Sequence, residues 1–513
     1  MREAHGQGLG EPCLEEDGDT LHEECGVFGI WAPGRDVSRL TYFALRALQH
    51  RGQESAGIAV GDGSTVLVRK DLGLVSNVFA DSDLAAMPGK CAIGHVRYGT
   101  SGARSWEAAQ PHLSMIDSSM ISLAHNGTLV NSDFLRGELV RRGIPFRSNT
   151  DSEVAAKLIG YFTQETNHLR EGIRHAMNMI EGGYAMALIR ENALYAFRDP
   201  NGIRPLVLGG LGDGSWVVAS ETCALDIVGA HFEREVRPGE VLRISDDGLL
   251  SEEGLAPRCP ASCIFEEVYF SRPDSVVAGR SVYSMRYDMG ARLAQEAPAD
   301  ADLVIGVPDS GMPPAEGFAA ELGLKYGEGL IKNRYVARTF IQPTQELREM
   351  GVRLKLNALR DNVAGKRIVM VDDSIVRGTT SRQIVQLLRD AGAAEVHVRI
   401  NCPEVKWPCF YGIDTDVQSQ LISASSTADE VCEFIGADSL AFLSLGGLLS
   451  CVPEGGWCCA CYNGRYPVEI PDSFSRGKFL PGYQPQNLHK APASASQSID
   501  HELQEPREGN RER

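Results

Sequence analysis

The sequence predicts two domains in tandem, the second an α/β domain built on a parallel sheet, and three observations carry that expectation. The 513 residues exceed one ordinary domain and can bury two cores. From about residue 300 apolar strand runs alternate with helical periodicity, which argues a doubly wound sheet with its ligand beyond the carboxyl ends of the strands. Near the start, the chain turns abruptly at Cys25 from an acidic, glycine-containing leader to a buried strand.

Residues 1–24 carry eight acids against one base, Arg2, with little apolar periodicity, so they cannot drive a core. Cys25 follows, and Val27, Phe28 and Ile30 read as a buried strand that begins at that cysteine. A thiol on the first residue of a strand suggests an N-terminal nucleophile awaiting release. Cutting before Cys25 would give one residue both a thiol and a free α-amino group. That amine titrates near pH ~8 and can take the thiol proton close to neutrality without a separate histidine. A small buried cysteine on a strand is the plainer alternative.

Four further stretches suit amide hydrolysis: Gln49-His50-Arg51-Gly52-Gln53-Glu54, Gly94-His95-Val96-Arg97-Tyr98-Gly99-Thr100, His125-Asn126-Gly127, and Ser148-Asn149-Thr150-Asp151-Ser152-Glu153. After the apolar run Ile121 to Ala124, the Asn126 carboxamide and the bare N–H of Gly127 can converge on the oxyanion of a tetrahedral intermediate. Taken alone, Asn-Gly is also a turn signal. Arg97 offers a fork that matches a carboxylate and Asp151 an acceptor for an ammonium, and a free amino acid such as glutamine carries both groups.

Together with Cys25 these stretches resemble the class II, N-terminal nucleophile glutaminase domain of the glutamine amidotransferases. The resemblance implies an α+β, antiparallel αββα sandwich over residues 25–257, preceded by a propeptide, 1–24, that is removed. It implies Cys25 as nucleophile, Asn126 and Gly127 as oxyanion hole, Arg97 on the glutamine carboxylate, Asp151 on its amino group, and Arg51 with Gly52 closing the pocket. Gly99 departs from the serine many relatives carry, which leaves Arg97 intact but is expected to loosen the pocket.

In the second half, Arg367 to Val371 is a continuous β-rich apolar run. It leads into Asp372-Asp373-Ser374-Ile375-Val376-Arg377-Gly378-Thr379-Thr380 and then a helix with apolar Ile384, Val385, Leu387, Leu388 and Ala391. Paired carboxylates at a strand's carboxyl end can accept hydrogen bonds from two ribose hydroxyls and bind Mg2+ directly or through water. Gly378, Thr379 and Thr380 supply donors at a helix N-terminus, where the dipole favours a phosphate. This string resembles the phosphoribosyl pyrophosphate (PRPP) site of type I phosphoribosyltransferases. A second strand run, Leu303 to Val307, ends in Pro308-Asp309-Ser310-Gly311, a turn whose backbone donors can receive pyrophosphate. Between the two lie Lys332, Arg334, Arg338, Arg348, Arg353 and Lys355, a basic density that asks for an anion in a chain of net charge −18. A solvated, salt-bridged surface is its plainer reading. The next strand is Glu395 to Ile400.

Both halves in this order, over roughly Cys25 to Ile470, resemble the amidophosphoribosyltransferases. The resemblance implies that Cys25 frees ammonia from glutamine, and that the ammonia displaces pyrophosphate from C1 of the ribose to give phosphoribosylamine for purine synthesis. PRPP would contact Asp309, Ser310, Gly311, Lys332, Arg334, Lys355, Asp372, Asp373, Ser374, Arg377, Gly378, Thr379 and Thr380. One Mg2+ per subunit would sit on Ser310, Asp372 and Asp373, with the basic interval as a lid over pyrophosphate. A homo-tetramer and feedback inhibition by purine nucleotides are also implied.

Thirteen cysteines, an odd count without a secretory signal, argue against a disulfide framework and for a reducing cytoplasm. In Cys458-Cys459-Ala460-Cys461 either Cys458 or Cys459 can pair with Cys461, and two thiolates alone complete neither a zinc nor an iron–sulfur site. The cluster-bearing branch of the family supplies two more, and the resemblance places these at Cys263 and Cys409, with Cys458 and Cys461 completing one 4Fe-4S cluster per subunit. Zinc is the alternative metal, and Cys459, Cys451 and Cys259 are the neighbouring alternatives as ligands.

The leader holds −7 of the net −18, leaving −11, and neither value favours nucleic acid. No apolar run reaches membrane length. The second domain is expected over 258–470, joined through a Pro- and Cys-punctuated link near Gly254 to Ser262, and residues 471–513 read as a disordered tail. Two other functions share part of these features. A PRPP-sensing regulator needs neither nucleophile nor lid, and glucosamine-6-phosphate synthase shares only the first half.

Overall fold

The computed structural model describes residues 25–98, 105–116, 119–333, 356–413, 415, 417–481, 483 and 486–487. The leader, Gly99 and the basic interval with Arg334 and Lys355 lie outside the described residues.

The first domain is two antiparallel sheets face to face. One runs β11 (His231–Glu235), β9 (Val207–Gly210), β10 (Trp216–Ala219), β1 (Gly26–Trp31), β4 (Cys91–Arg97), β2 (Ser55–Gly61), β3 (Val66–Leu72). The other runs β13 (Gly248–Glu253), β12 (Glu240–Ser245), β8 (Ala193–Arg198), β7 (Gly182–Arg190), β6 (Ser119–Leu129), β5 (His112–Ile116). All six residues of β1 are buried because both its faces are covered, and its alternation shows by what. Val27 and Trp31 enter the core between the sheets, with Ile93, Ala124 and Ala185. Phe28 and Ile30 face outward, onto helices Val37–Ala47 and Thr222–Val228. On the far side Leu123 and Met186 meet helices Asp151–Thr166 and Leu169–Met179. The expected αββα sandwich is present.

The second domain carries a four-stranded parallel sheet in the order Leu303–Gly306, Arg367–Asp372, Glu395–Ile400, Ser439–Phe442. The first three match the strand runs read from the sequence. Helices Val282–Glu296, Met312–Leu322, Thr379–Asp390 and Ala428–Ile435 pack around it. Its core continues across the seam to take in Val130 and Ile203 of the first domain.

The start of the tail differs from the disorder expected of it. Asp472–Ser475 is a helical turn, and Phe474 and Phe479 pack on Phe410 with ring centroids 6.0 and 5.6 Å away. Gln418 clasps the same segment, its N–H donating to Lys478 O (2.8 Å) and its Oε1 accepting from Leu480 N–H (3.1 Å). Two half-buried aromatics outweigh a polar composition here. Residues 488–513 lie outside the described residues. No described helix is long and apolar enough to cross a membrane.

Candidate active sites

Strand parity brings the first site together. Val27 lies between the sheets, so Cys25, two residues earlier, falls on that face; Ile93 and Ala124 lie there too, so Arg97 and Asn126 share it. Gly26 pairs with Val96, which sets Cys25 beside the end of β4, and the backbone N–H of Tyr98 reaches its sulfur. Burial pushes the Cys25 thiol up, Arg97 and Arg51 pull it down, and Asp151 opposes them. The Cys25 thiol thus feels both the Arg97 guanidinium and the Asp151 carboxylate.

The Asn126 side chain is 1% exposed, and neither its Oδ1 nor its Nδ2 has a hydrogen-bond partner among the described residues. Gly127 has φ +132°, and a Cβ there would sit 2.0 Å from Gly183 O, so only glycine fits. Gly52 is held by close approach instead, since its Cβ would lie 2.6 Å from the Arg97 backbone. Asp151 opens its helix and accepts from Leu129 N–H (2.9 Å). Glu54 stands 3.9 Å from the Arg97 guanidinium, beyond hydrogen-bond reach, so the fork retains donors for a carboxylate.

Behind Asn126 lies a polar scaffold that sequence reading missed. Gln110 accepts from His125 N–H (2.7 Å) and donates to His125 O (3.1 Å) and Ser152 Oγ (3.0 Å). His95 Nε2 meets His125 O at 3.0 Å, and His125 Nδ1 meets Ser152 Oγ at 3.0 Å. These bonds tie β4 and β6 to the helix that bears Asp151. Burial lowers His95 to about 3 and also lowers His125, so both act as neutral struts. His95 and His125 were visible in their motifs, but nothing local linked Gln110 to them.

Arg51 stands differently from its expected place over the substrate. Its side chain is wholly buried, with Nη1 on Glu221 Oε1 (2.6 Å), Nη2 on Glu266 Oε1 (2.6 Å) and Nε on the Cys25 carbonyl (3.2 Å). Two desolvated carboxylates claim the guanidinium more strongly than an open pocket does.

In the second domain, Gly306 pairs with Val371, so the turn after one strand lies beside the acid pair after the other. Ser310 Oγ donates to Asp373 Oδ2 (2.5 Å), Ser374 Oγ to Asp373 Oδ1 (2.5 Å), and Asp373 N–H to Asp372 Oδ1 (2.9 Å). Both carboxylates are buried, and burial raises Asp373. Lys332, on the short strand Leu330–Lys332, reaches Asp309 Oδ2 at 2.8 Å. Gly311 caps helix Met312–Leu322, and Gly378, at φ +79°, caps helix Thr379–Asp390, whose first residues are Thr379 and Thr380. Arg377 Nη2 donates to Gln420 Oε1 (2.6 Å). Ser310, Asp372 and Asp373, the residues expected to hold Mg2+, are adjacent.

The four cluster candidates also approach one another. Cys263 and Cys458 are register partners on parallel two-residue strands. Cys461 feels the charges of Cys263, Cys458 and Cys409, and burial raises all four thiols. Three backbone N–H groups, of Tyr411, Gly412 and Ile413, aim at the Cys409 sulfur. Cys451 is occupied within its own helix, by Gly447 O at 3.2 Å, while Cys459 stays close to the group through chain adjacency. Among the described residues no three such side chains are drawn up into a closed coordination shell.

Residues 99–226 match the glutamine amidotransferase domain family and residues 287–402 the phosphoribosyl transferase domain family. An amidophosphoribosyltransferase of Synechococcus elongatus is 53% identical over 467 residues, 90% of this chain and 95% of its own length. The chain belongs to the amidophosphoribosyltransferase family. The Mycobacterium tuberculosis amidophosphoribosyltransferase is 49% identical over 502 residues, 95% of each chain. The solved glutamine PRPP amidotransferase of Bacillus subtilis, complexed with ADP and GMP, superposes with TM-score 0.82 at 48% identity, covering 88% of this chain and 98% of its own. The amidophosphoribosyltransferase architecture, glutaminase first and phosphoribosyltransferase second, therefore runs through 88% of this chain.

Proposed function

We propose that this chain converts glutamine and PRPP into phosphoribosylamine, pyrophosphate and glutamate, the first step of purine biosynthesis, in two separate sites. The observation that supports the reading is that the Cys25 thiol feels the charges of both Arg97 and Asp151, the two charges that match the poles of a free amino acid.

In the first site the Cys25 thiolate attacks the amide carbon of glutamine and the C–N bond breaks, leaving a thioester and releasing ammonia; water then frees glutamate. Arg97 holds the carboxylate, Asp151 the ammonium, and Asn126 Nδ2 with Gly127 N–H receives the oxyanion. The unpartnered buried amide of Asn126 supports that role, since such a group costs stability unless a ligand completes it. Gly52 fixes the backbone of Arg97 by close packing. In the precursor the Cys25 nitrogen is a peptide amide, so removal of the acidic leader at Glu24 supplies the amine that activates the thiol.

In the second site ammonia bonds to C1 of the ribose as the C1–O bond to pyrophosphate breaks. Asp372 and Asp373 face the ribose hydroxyls, and the cap at Gly378, Thr379 and Thr380 with Ser374 and Arg377 receives the 5-phosphate. The turn Asp309-Ser310-Gly311 with Lys332 receives pyrophosphate, joined by Arg334 and Lys355. Mg2+ on Ser310, Asp372 and Asp373 would neutralise the departing pyrophosphate; the bonded contact of Ser310 with Asp373 supports this donor set.

Cys263, Cys409, Cys458 and Cys461 suit a 4Fe-4S cluster. Three buried thiols and a half-buried one that feel one another's charge, with N–H groups aimed at Cys409, are the surroundings that thiolates bound to iron require. Its role is structural, tying three segments far apart in sequence. A cytoplasmic homo-tetramer under purine nucleotide feedback completes the reading; the ADP and GMP complex of the B. subtilis relative supports the last point.

Cys25→Ala tests the division of labour. It should abolish synthesis from glutamine and leave synthesis from ammonium salts, with the mature wild-type chain starting at Cys25 by intact mass. Equal loss of both reactions in a folded protein, or full glutamine-dependent activity in a chain that still starts at Met1, would sink the assignment.

A further inference from the structure

The seam between the domains holds a buried ionic group outside both pockets. Glu266 opens the turn Glu266–Phe270 at the start of the second domain. Its carboxylate takes both arms of Arg51, Nη2 on Oε1 (2.6 Å) and Nη1 on Oε2 (3.0 Å), and also accepts from Arg204 Nη2. Burial alone would raise this carboxyl, but Arg51 and Arg204 outweigh it and hold it below the ordinary range. Arg286, buried on helix Val282–Glu296, pins the same turn by donating to the carbonyls of Glu267 (2.7 Å) and Ser271 (2.8 Å). On the opposite side Arg51 Nε holds the carbonyl of Cys25 (3.2 Å).

A buried group of this kind stabilises a fold no more than apolar packing of the same volume. What it supplies is direction, because a planar fork bonded bidentately to a carboxylate accepts one orientation. Direction matters at Cys25, which lies just before β1 and must present thiol and amine to one substrate from a single residue. A displacement of about 1 Å at such a point can cost ~10²-fold in rate.

We infer that Glu266, on the phosphoribosyl side of the seam, is a positioning residue for the nucleophile: it orients Arg51, and Arg51 holds the backbone of Cys25. The inference rests on the reading of Cys25 as the nucleophile. Glu266 acts through Arg51 and lies outside the substrate pocket, so it should govern turnover of glutamine and leave its binding to Arg97 and Asp151.

The test uses the mature enzyme with Glu266→Asp, which keeps the buried charge and shortens its reach by one methylene. Glutamine-dependent kcat should fall ~10-fold or more, KM for glutamine should stay within about two-fold, and ammonia-dependent synthesis should be unchanged. Alkylation of Cys25 by iodoacetamide should slow in parallel. Arg51→Lys, which keeps the positive charge but cannot span both carboxylates and the carbonyl, should give the same split and serves if Glu266→Asp does not fold. Equal losses in both reactions, a raised KM at constant kcat, or undiminished glutamine turnover would overturn the inference. Cys25→Ala separates the two levels: if it is inactive with glutamine while Glu266→Asp is normal, only the positioning role fails. If Cys25→Ala retains glutamine turnover, the nucleophile reading itself fails.

Discussion

Replacing Asn126 by alanine should damage catalysis while sparing the fold, an uncommon combination for a residue 1% exposed. Both polar atoms of its amide are buried without a partner among the described residues, so the fold already bears a desolvation penalty of roughly 1–3 kcal/mol there. Truncation removes that penalty and leaves a small void, which costs on the order of 1 kcal/mol. The two nearly cancel or favour the variant. Since about 1 kcal/mol moves the melting temperature of a domain this size by ~2–4 °C, Tm should change by no more than that, in either direction. Loss of one oxyanion donor, by contrast, should lower glutamine-dependent kcat by ~10²–10³, about 2.7–4 kcal/mol, with KM little changed. The assays are steady-state kinetics with glutamine and with ammonia, and scanning calorimetry. Ammonia-dependent synthesis should persist. A variant that melts ~10 °C lower with its glutamine turnover intact would refute the reasoning, because the amide would then be bonded in the fold and idle in the reaction.

Asp373→Asn should depress both the glutamine and the ammonia reactions by ~10² or more and weaken the dependence on Mg2+, since Ser310 and Ser374 both bond to that carboxylate; a loss confined to the glutamine reaction would contradict it. Cys409→Ser should yield colourless protein by absorbance and by iron and sulfide analysis of anaerobic preparations, and full iron content would remove Cys409 from the ligand set. His95, lowered to about 3 from 6.5, binds a proton in the unfolded chain before the folded one. Stability should therefore fall as pH drops below 6.5, by about 2 kcal/mol at pH 5 from this group alone, and show no such dependence above pH 7. Denaturant titrations of wild type and His95→Gln across pH 5 to 8 measure the difference, and identical pH slopes would remove His95 as the cause.

Local chemistry was the legible part. A strand starting at Cys25, a strand ending in Asp372-Asp373 and a glycine-led helix at Thr379 are statements about adjacent residues, and each appears where periodicity placed it. The order at the start of the tail was not legible, because Phe474 and Phe479 are sparse in sequence and decisive only against Phe410. The inward turn of the Arg51 side chain was not legible for the same kind of reason. Its motif marks a basic residue near the pocket, but the partners that turn it inward, Glu221 and Glu266, lie 170 and 215 residues away.

The sequence by itself determined the order of the two domains, the strand that follows Cys25 and the strand that ends in the acid pair, because connectivity and alternation act over a few residues. Only the tertiary structure decided that Cys25, Arg97 and Asn126 share the face between two sheets, that Ser310 meets Asp373, and that Glu266 reaches Arg51 across the seam. Those meetings depend on sheet order and register between strands far apart in the chain. A one-residue slip would turn Arg97 or Asn126 to the other face of its sheet.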